Sequence, residues 1–257
     1  MKKLDQIDIN QKREYTVVKG NELIQKNRFD LSLQEQKSIA YICSMIKPTS
    51  DSTYQLEYEF NIREYCRICG IDYDNGKNYI EVKGNLKKLA DRSMWLTLEN
   101  GSETLVRWLD RVTTNKRSGQ AKIRIDDRLV PYLFDLKEKF TQYQLYNILA
   151  MKSAFSVRFY ELFKSYKFQH TKKFDLDDLK KLLMVDTVKS YNRFPDFRRK
   201  VLDIALREIN ELTDLQVTYE TITKGRKVVA LEFDIKEKSN IKKYISGQRT
   251  FDILEKK

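Results

Sequence analysis

Residues 191–235 decide the fold, and they read YNRFPDFRRKVLDIALREINELTDLQVTYETITKGRKVVALEFDI. The stretch predicts an amphipathic helix over residues 195–211, because Pro suits the first turn of a helix and the apolar residues recur at helical spacing. A two-stranded ribbon over residues 216–235 follows, and its turn at residues 223–227 is basic. A helix that fits the DNA major groove beside a charged hairpin is the layout of a winged helix-turn-helix. Duplex DNA is therefore the first candidate partner.

At 100° per residue the helix has an apolar and a charged side. The predicted apolar side consists of Phe197, Val201, Ile204, Ala205 and Leu212, with Leu202 and Ile209 at its flank. The predicted charged side carries Arg199, Lys200, Asp203 and Arg207.

Side chains in the first turns of such a helix reach base edges when it enters the groove N-terminus first. An Arg can contact guanine in bidentate fashion, and Asp196 could accept a bond from cytosine N4. The predicted base-reading residues are Arg193, Asp196, Arg199 and Lys200. The predicted backbone or wing contacts are Arg198, Arg207, Lys224, Arg226 and Lys227, and in the first half Lys83, Lys87, Lys88, Lys116 and Arg117. The alternative for all of them is an ordinary solvated face.

The charge of the whole chain favours the same partner. Its 49 basic and 37 acidic residues leave a formal charge of +12. Excess Lys and Arg gain affinity for phosphates by counterion release, although a merely solubilising charge is the alternative.

The first half of the chain predicts the same order of elements as the second. It shows a helix opened by Ser32, an alternating strand over residues 54–60, and a short helix capped by Asn61. A further helix starts near Asn78. Strand candidates follow over residues 94–99, 104–112 and 120–125, with a basic turn at residues 115–119. The second half shows a helix over residues 155–166, a short strand, a helix capped by Asp175, and then the stretch quoted above.

The predicted fold class is therefore α+β, with two tandem winged-helix domains. The 257 residues suffice for two cores of ordinary size. We expect a flexible segment over residues 1–15, domains over 16–135 and 136–238, and a polar tail over 239–257. The boundary is expected near residues 130–145.

Location follows from what the sequence lacks. It has no apolar run of the roughly 18 to 20 residues that span a bilayer, and no apolar signal region at its start. An odd number of cysteines, Cys43, Cys66 and Cys69, fits a reducing compartment. These features predict a cytoplasmic protein without membrane association.

The sequence also argues against enzymatic chemistry. A rolling-circle initiator nicks DNA with a tyrosine and a metal bound by paired histidines, but His170 is the only histidine. No phosphate-binding loop of the form G-x-x-x-x-G-K-[ST] occurs. The C-x-x-C of Cys66 and Cys69 has no second pair to complete a zinc site and predicts packing. We expect no catalytic residue, metal or cofactor.

Three stretches resemble the initiator replication proteins of theta-replicating, iteron-carrying plasmids. FPDFRRKVLDIALREINELTDLQVTYETITKGRKVVALEFDI is similar to their C-terminal winged helix. NELIQKNRFDLSLQEQKSIAYICSMI resembles the opening of the same family, and KSAFSVRFYELFKSY resembles the helix that starts its second domain. The resemblance covers roughly residues 17–237.

This resemblance implies two winged-helix domains that bind tandem origin repeats (iterons) as a monomer. The second domain would read the major groove through Arg193, Asp196, Arg199 and Lys200. The first domain would contact the rest of the repeat and form a homodimer in equilibrium with the monomer. Dimers of the family commonly repress their own promoter, and monomers open the origin and recruit host initiator and replicative helicase. A transcriptional repressor on the same scaffold is the alternative, and a DNA-nicking initiator is disfavoured.

Overall fold

The computed structural model describes residues 15–47, 54–71, 77–98, 101–136 and 138–238. The predicted tail, and the predicted flexible segment apart from Tyr15, lie outside the described residues. The chain divides into two compact units. The first holds the described residues up to Leu23 together with Gln34–Leu149, and the second holds Ile24–Leu33 together with the described residues from Ala150 onward.

This division differs from the predicted boundary in two places. Residues 136–149 belong to the first unit because strand Phe140–Gln144 pairs antiparallel with strand Thr16–Gly20. Ile24–Leu33 belongs to the second unit. Both groupings bring together segments that are more than 100 residues apart in the chain. Periodicity within a short window of sequence does not report such long-range pairings.

From Tyr15 to Leu149 the chain forms seven strands and six α-helices within the described residues. They are β1 Thr16–Gly20, α1 Asn21–Gln25, α2 Leu33–Met45, β2 Glu57–Asn61, α3 Ile62–Cys69, α4 Lys77–Asp91, β3 Ser93–Thr97, β4 Glu103–Arg107, β5 Leu109–Asn115, β6 Gln120–Ile125, α5 Val130–Leu133, β7 Phe140–Gln144 and α6 Leu145–Leu149.

The first unit contains a winged helix made of α2, β2, α3, α4 and the β5–β6 hairpin. Its sheet has the antiparallel order β2-β6-β5. The predicted cap of α3 is confirmed, because the Asn61 side chain accepts bonds from the Arg63 and Glu64 backbone N–H groups at 2.9 and 3.3 Å. Gly70 ends α3 in the left-handed conformation, with φ of 66°.

The single strand predicted over residues 104–112 is wrong. The chain bends at Trp108, which is buried, and the two halves join different sheets. β4 pairs with β3, and β5 pairs with β6. An alternating pattern predicts strands but not their partners, so the bend was not visible in the sequence.

The second unit contains the longer ribbon. Its elements are α7 Ala154–Tyr166, β8 Thr171–Asp175, α8 Leu176–Leu182, α9 Phe194–Phe197, a π-helical turn Arg198–Leu202, α10 Asp203–Leu212, β9 Leu215–Lys224 and β10 Lys227–Glu237. A 3₁₀ turn, Lys189–Asn192, precedes α9.

The sheet of the second unit has the antiparallel order β8-β10-β9. β8 pairs only with the part of β10 from Ala230 to Asp234, so the tip of the β9–β10 ribbon extends beyond the third strand. Asp175 caps α8 as predicted, because its carboxylate accepts the Asp177 and Asp178 N–H groups. Helix, strand, helix, helix and hairpin thus follow in the same order in both units, and the predicted tandem winged-helix fold is confirmed.

The core of the second unit includes a cluster of aromatic rings. The Phe163 ring lies 4.8 Å from Phe233 and 5.4 Å from Phe159 between centroids. Ile24–Leu33 adds a buried cation contact, since the Arg158 guanidinium donates to the Asn27 carbonyl at 2.8 Å and lies 4.4 Å from the Phe29 ring centroid. None of the helices within the described residues is long and apolar enough to cross a membrane.

Candidate nucleic-acid interface

Among the described helices of the second unit, the one that exposes the most cations is built from three consecutive parts. They are α9, the π-helical turn and α10, and together we call them the basic helix. The predicted helix is confirmed, with Pro195 in its first turn as expected. The π-helical turn was not predicted, and it covers Arg198, Arg199 and Lys200.

The π-helical turn changes which residues face the core. Its hydrogen bonds join residues five apart, so Phe197 and Leu202 lie on the same side and Val201 is buried beside them. Leu202 and Ile209, predicted at the flank of the apolar side, are fully buried, whereas Ile204 and Leu212, predicted on that side, are only half-buried. The widened turn leaves three consecutive cations exposed between buried neighbours, and such turns often mark functional sites.

Asp196 holds two of the predicted base-reading residues together. Its carboxylate accepts a bond from Arg199 Nη2 at 3.1 Å, and its other oxygen lies 3.8 Å from Arg193 Nη1. The side chains of Arg193 and Arg199 are 80% and 72% exposed, respectively, whereas that of Asp196 is only 22% exposed. The free protein thus presents two guanidinium groups on either side of one carboxylate.

The other cations of the basic helix are arranged differently. Arg198 Nε lies 3.5 Å from a carboxylate oxygen of Asp203, which follows the π-helical turn. Lys200 and Arg207 are exposed. The spacing of residues 193, 196 and 199 was a sequence signal for the Asp196 pairs, because residues three apart on a helix are neighbours.

The ribbon tip carries the predicted wing residues. Lys224, Arg226 and Lys227 are all exposed, and Gly225 makes the turn with φ of 62°. Lys227 also affects α8: burial lowers the pKa of Lys180, the negative charge of Asp177 opposes this effect, and the positive charge of Lys227 adds to it. Lys180 Nζ lies 5.7 Å from the Phe197 ring centroid. The wing, α8 and the basic helix therefore form one positively charged neighbourhood within the second unit.

The first unit has a smaller basic surface of the same kind. Lys83, Lys87 and Lys88 are exposed on α4, and Lys87 forms an ion pair with Asp91. Lys116 and Arg117 are exposed in the β5–β6 turn. The Asn115 side chain accepts the Arg117 and Ser118 N–H groups and so shapes that turn. The predicted contact residues of the first unit thus lie on α4 and on the β5–β6 wing. Those of the second unit lie on or just before the basic helix and on the β9–β10 wing.

The described residues offer little for metal or thiol chemistry. No group of three or more His, Cys, Asp or Glu side chains that could hold a metal ion occurs among them. His170 is exposed. Burial raises the pKa of the Cys66 thiol to about 11, so the thiol stays protonated at neutral pH.

Two family models match this chain and together cover most of it. Residues 16–164 match the initiator replication protein WH1 model, and residues 175–235 match the initiator Rep protein WH2 model. The chain belongs to the initiator replication protein family.

The chain is also similar to one curated protein and to one solved structure. The PI protein of Escherichia coli is 25% identical over 178 residues, which are 62% of this chain and 58% of that protein. The chain thus aligns with less than two thirds of the length of this curated relative. A crystal structure of Pi initiator protein in complex with iteron DNA matches with a TM-score of 0.69 and 20% identity. That match covers 89% of this chain and 99% of the other. At this identity the structural match supports the tandem winged-helix fold.

Proposed function

We propose that this member of the family initiates plasmid replication by binding iterons in duplex DNA sequence-specifically. The observation that carries the proposal is the basic helix, which buries its apolar side in a winged helix and exposes Arg199 and Lys200, with Arg193 exposed just before it. The solved relative is described as a complex with iteron DNA. The second unit would read the major groove with these residues and contact phosphates with Lys224, Arg226 and Lys227.

The first unit would contact another part of the same repeat. Exposed Lys83, Lys87 and Lys88 on α4, with Lys116 and Arg117 on the wing, suit phosphate contacts. We propose that opening of the origin and recruitment of host initiator and replicative helicase follow from DNA binding, without catalysis by this chain. We expect the protein to act in the cytoplasm, where plasmid DNA is replicated.

A footprint on the DNA that flanks the coding region tests this function. Tandem protected direct repeats are the expected result, whereas a single protected operator would favour a repressor without a replication role. Incubation with supercoiled plasmid carrying those repeats and Mg²⁺ tests the absence of catalysis. Nicks capped covalently by protein would contradict it.

A homodimer is the second part of the proposal, and the β3–β4 ribbon is the surface that supports it. Trp95 and Leu105 lie directly opposite each other across the ribbon and are 59 and 44% exposed. The outer edge of β4 is covered in part, since Asp126 accepts the Arg107 N–H and Arg128 donates to the Leu105 carbonyl. The ribbon would therefore associate through its face and not by adding a strand to β4.

Charge complementarity favours a second copy as the occupant. Glu103 and Arg107 lie two residues to either side of Leu105 on the same strand face. A twofold axis at Leu105 would bring each Glu103 toward the other copy's Arg107, as a self-complementary interface requires. Trp95→Glu should shift sedimentation toward the monomer. Ile80→Glu, at an exposed apolar residue on α4, is the matched control, and its sedimentation should equal that of the wild type. An unchanged dimer fraction in Trp95→Glu would exclude this face.

A further inference from the structure

The basic helix carries a carboxylate on its buried side, at Glu208. This residue is only 9% exposed, and its Oε2 accepts the backbone N–H groups of Lys152 and Ser153, each at 3.1 Å. Ser153 is the N-cap of α7, and its own hydroxyl accepts the Phe155 N–H at 3.2 Å. Glu208 therefore binds the N-terminus of α7.

This contact is favourable for a specific physical reason. The first N–H groups of a helix have no partner within the helix, and the helix dipole makes that end positive. Glu208 accepts the N–H of the N-cap Ser153 and that of Lys152 just before it, so these bonds are charge-assisted and directional. The contact therefore ties one point of the basic helix to one point of α7.

A second carboxylate ties the far end of the basic helix to the same partner. Asp214, two residues after α10 and 9% exposed, accepts the Tyr160 hydroxyl at 2.9 Å and the Lys164 ammonium at 2.5 Å. Lys164 also donates to Glu237 on β10 at 2.6 Å. Asp214 is thus connected both to α7 and to the end of the ribbon.

Two anchor points restrict motion that one would permit. From the N-cap Ser153 to Tyr160 and Lys164 is seven and eleven residues, which is about 10–17 Å at the rise of an α-helix. A single contact leaves the basic helix able to pivot, whereas two contacts at this separation fix both its direction and its position along α7. Hydrophobic burial between the two contacts is non-directional and does not by itself fix this orientation.

We propose that Glu208 and Asp214 are positioning residues for sequence recognition. They fix where the basic helix lies on α7, and thereby where Arg193 and Arg199 meet base edges. The inference rests on the proposed function of the basic helix as the reader of DNA. Base contacts depend on bidentate geometry, whereas phosphate contacts position the protein without specifying sequence. Loss of an anchor should therefore weaken cognate binding far more than non-specific binding.

The test uses the full chain and two duplexes of equal length. One is selected in vitro from a random-sequence library by the wild-type protein, and the other is its shuffled sequence. Glu208→Ala should weaken binding to the selected duplex about tenfold or more, and to the shuffled duplex less than about twofold. Glu208→Gln should recover most of the preference, because the amide oxygen still accepts a hydrogen bond.

Glu211→Ala is the matched control, since it removes the same charge from an exposed position on α10. It should leave the ratio of the two affinities unchanged. Equal losses on both duplexes in Glu208→Ala, or a ratio equal to that of Glu211→Ala, would overturn the inference. If Glu208→Ala lacks the circular dichroism of the wild type, Tyr160→Phe replaces it, because it removes the hydroxyl that donates to Asp214 and keeps the ring. An unchanged ratio in Tyr160→Phe would then overturn the inference. A wild-type protein that prefers neither duplex would instead refute the proposed function, and the inference with it.

Discussion

Arg199→Ala separates a base-reading role from a charged surface more directly than any other single change. The Arg199 side chain is 72% exposed and pairs with Asp196 at 3.1 Å. Exposed pairs of this kind contribute only about 0.2–1 kcal/mol to stability, so the melting temperature should change little. A bidentate contact with guanine is worth about 1–3 kcal/mol, which is about 5- to 150-fold in affinity for the cognate site.

Fluorescence anisotropy with the selected and shuffled duplexes measures this effect. Arg199→Ala should lose the stated factor on the selected duplex and much less on the shuffled one. Lys173→Ala removes a charge from an exposed site on β8 and serves as the control. Equal losses on both duplexes would show that Arg199 contacts only phosphate, and a lowered melting temperature with lost binding would show a structural role.

A double-mutant cycle with Asp196 then distinguishes two roles for that carboxylate. The sequence predicted that Asp196 reads cytosine, but the structure shows it between Arg193 and Arg199. If Asp196 orients Arg199, the losses from Asp196→Ala and Arg199→Ala on the selected duplex should not add, because the second change removes an arginine already misplaced. Additive losses would support an independent base contact.

Three further changes test other parts of the molecule. Replacing Lys224 and Arg226 together with Ala should flatten the slope of log K against log salt by about 2, while Lys236→Ala on β10 should leave it unchanged; equal slopes would mean that the wing does not touch DNA. Gly84 lies within α4, and a Cβ there would meet nothing within 4 Å, so Gly84→Ala should raise stability by about 0.5–1 kcal/mol in urea unfolding. If α4 approaches the duplex closely, the same variant should also bind DNA more weakly, and stronger or equal binding would argue against that approach. The free energy of unfolding should fall as pH rises from about 9 to 11. Burial raises the pKa of Cys66 to about 11, so in this range only the unfolded chain releases the thiol proton. Cys66→Ala should show a shallower fall, and an equal fall would mean that other groups cause it.

The elements that could be predicted from the sequence are those with a local cause. Asn61 and Asp175 cap helices through their own side chains, and Gly225 permits the positive φ that the wing turn needs. The helix over residues 194–212 was visible because its apolar residues recur at helical spacing. These signals lie within a few residues of the structure that they determine.

The features that the sequence did not reveal depend on distant partners. The pairing of β1 with β7 and the insertion of Ile24–Leu33 beside Arg158 join segments far apart in the chain. The π-helical turn gives no signal in a calculation that assumes a constant angle per residue. In the sequence, Glu208 is indistinguishable from the other charged residues of an amphipathic helix. Only the structure shows that it accepts the Ser153 N–H.

In the proposed function, the cations and the carboxylates of this chain play different roles. The cations would supply affinity for any duplex, because phosphate contacts do not depend on sequence and weaken with salt. Affinity alone cannot distinguish an origin from other DNA, so specificity requires that a few cations be held in place. Asp196, Glu208 and Asp214 are the carboxylates that hold the basic helix and its arginines. On this reasoning, raising the salt concentration should weaken binding to selected and shuffled duplexes by similar factors, whereas removing these carboxylates should change the ratio between them.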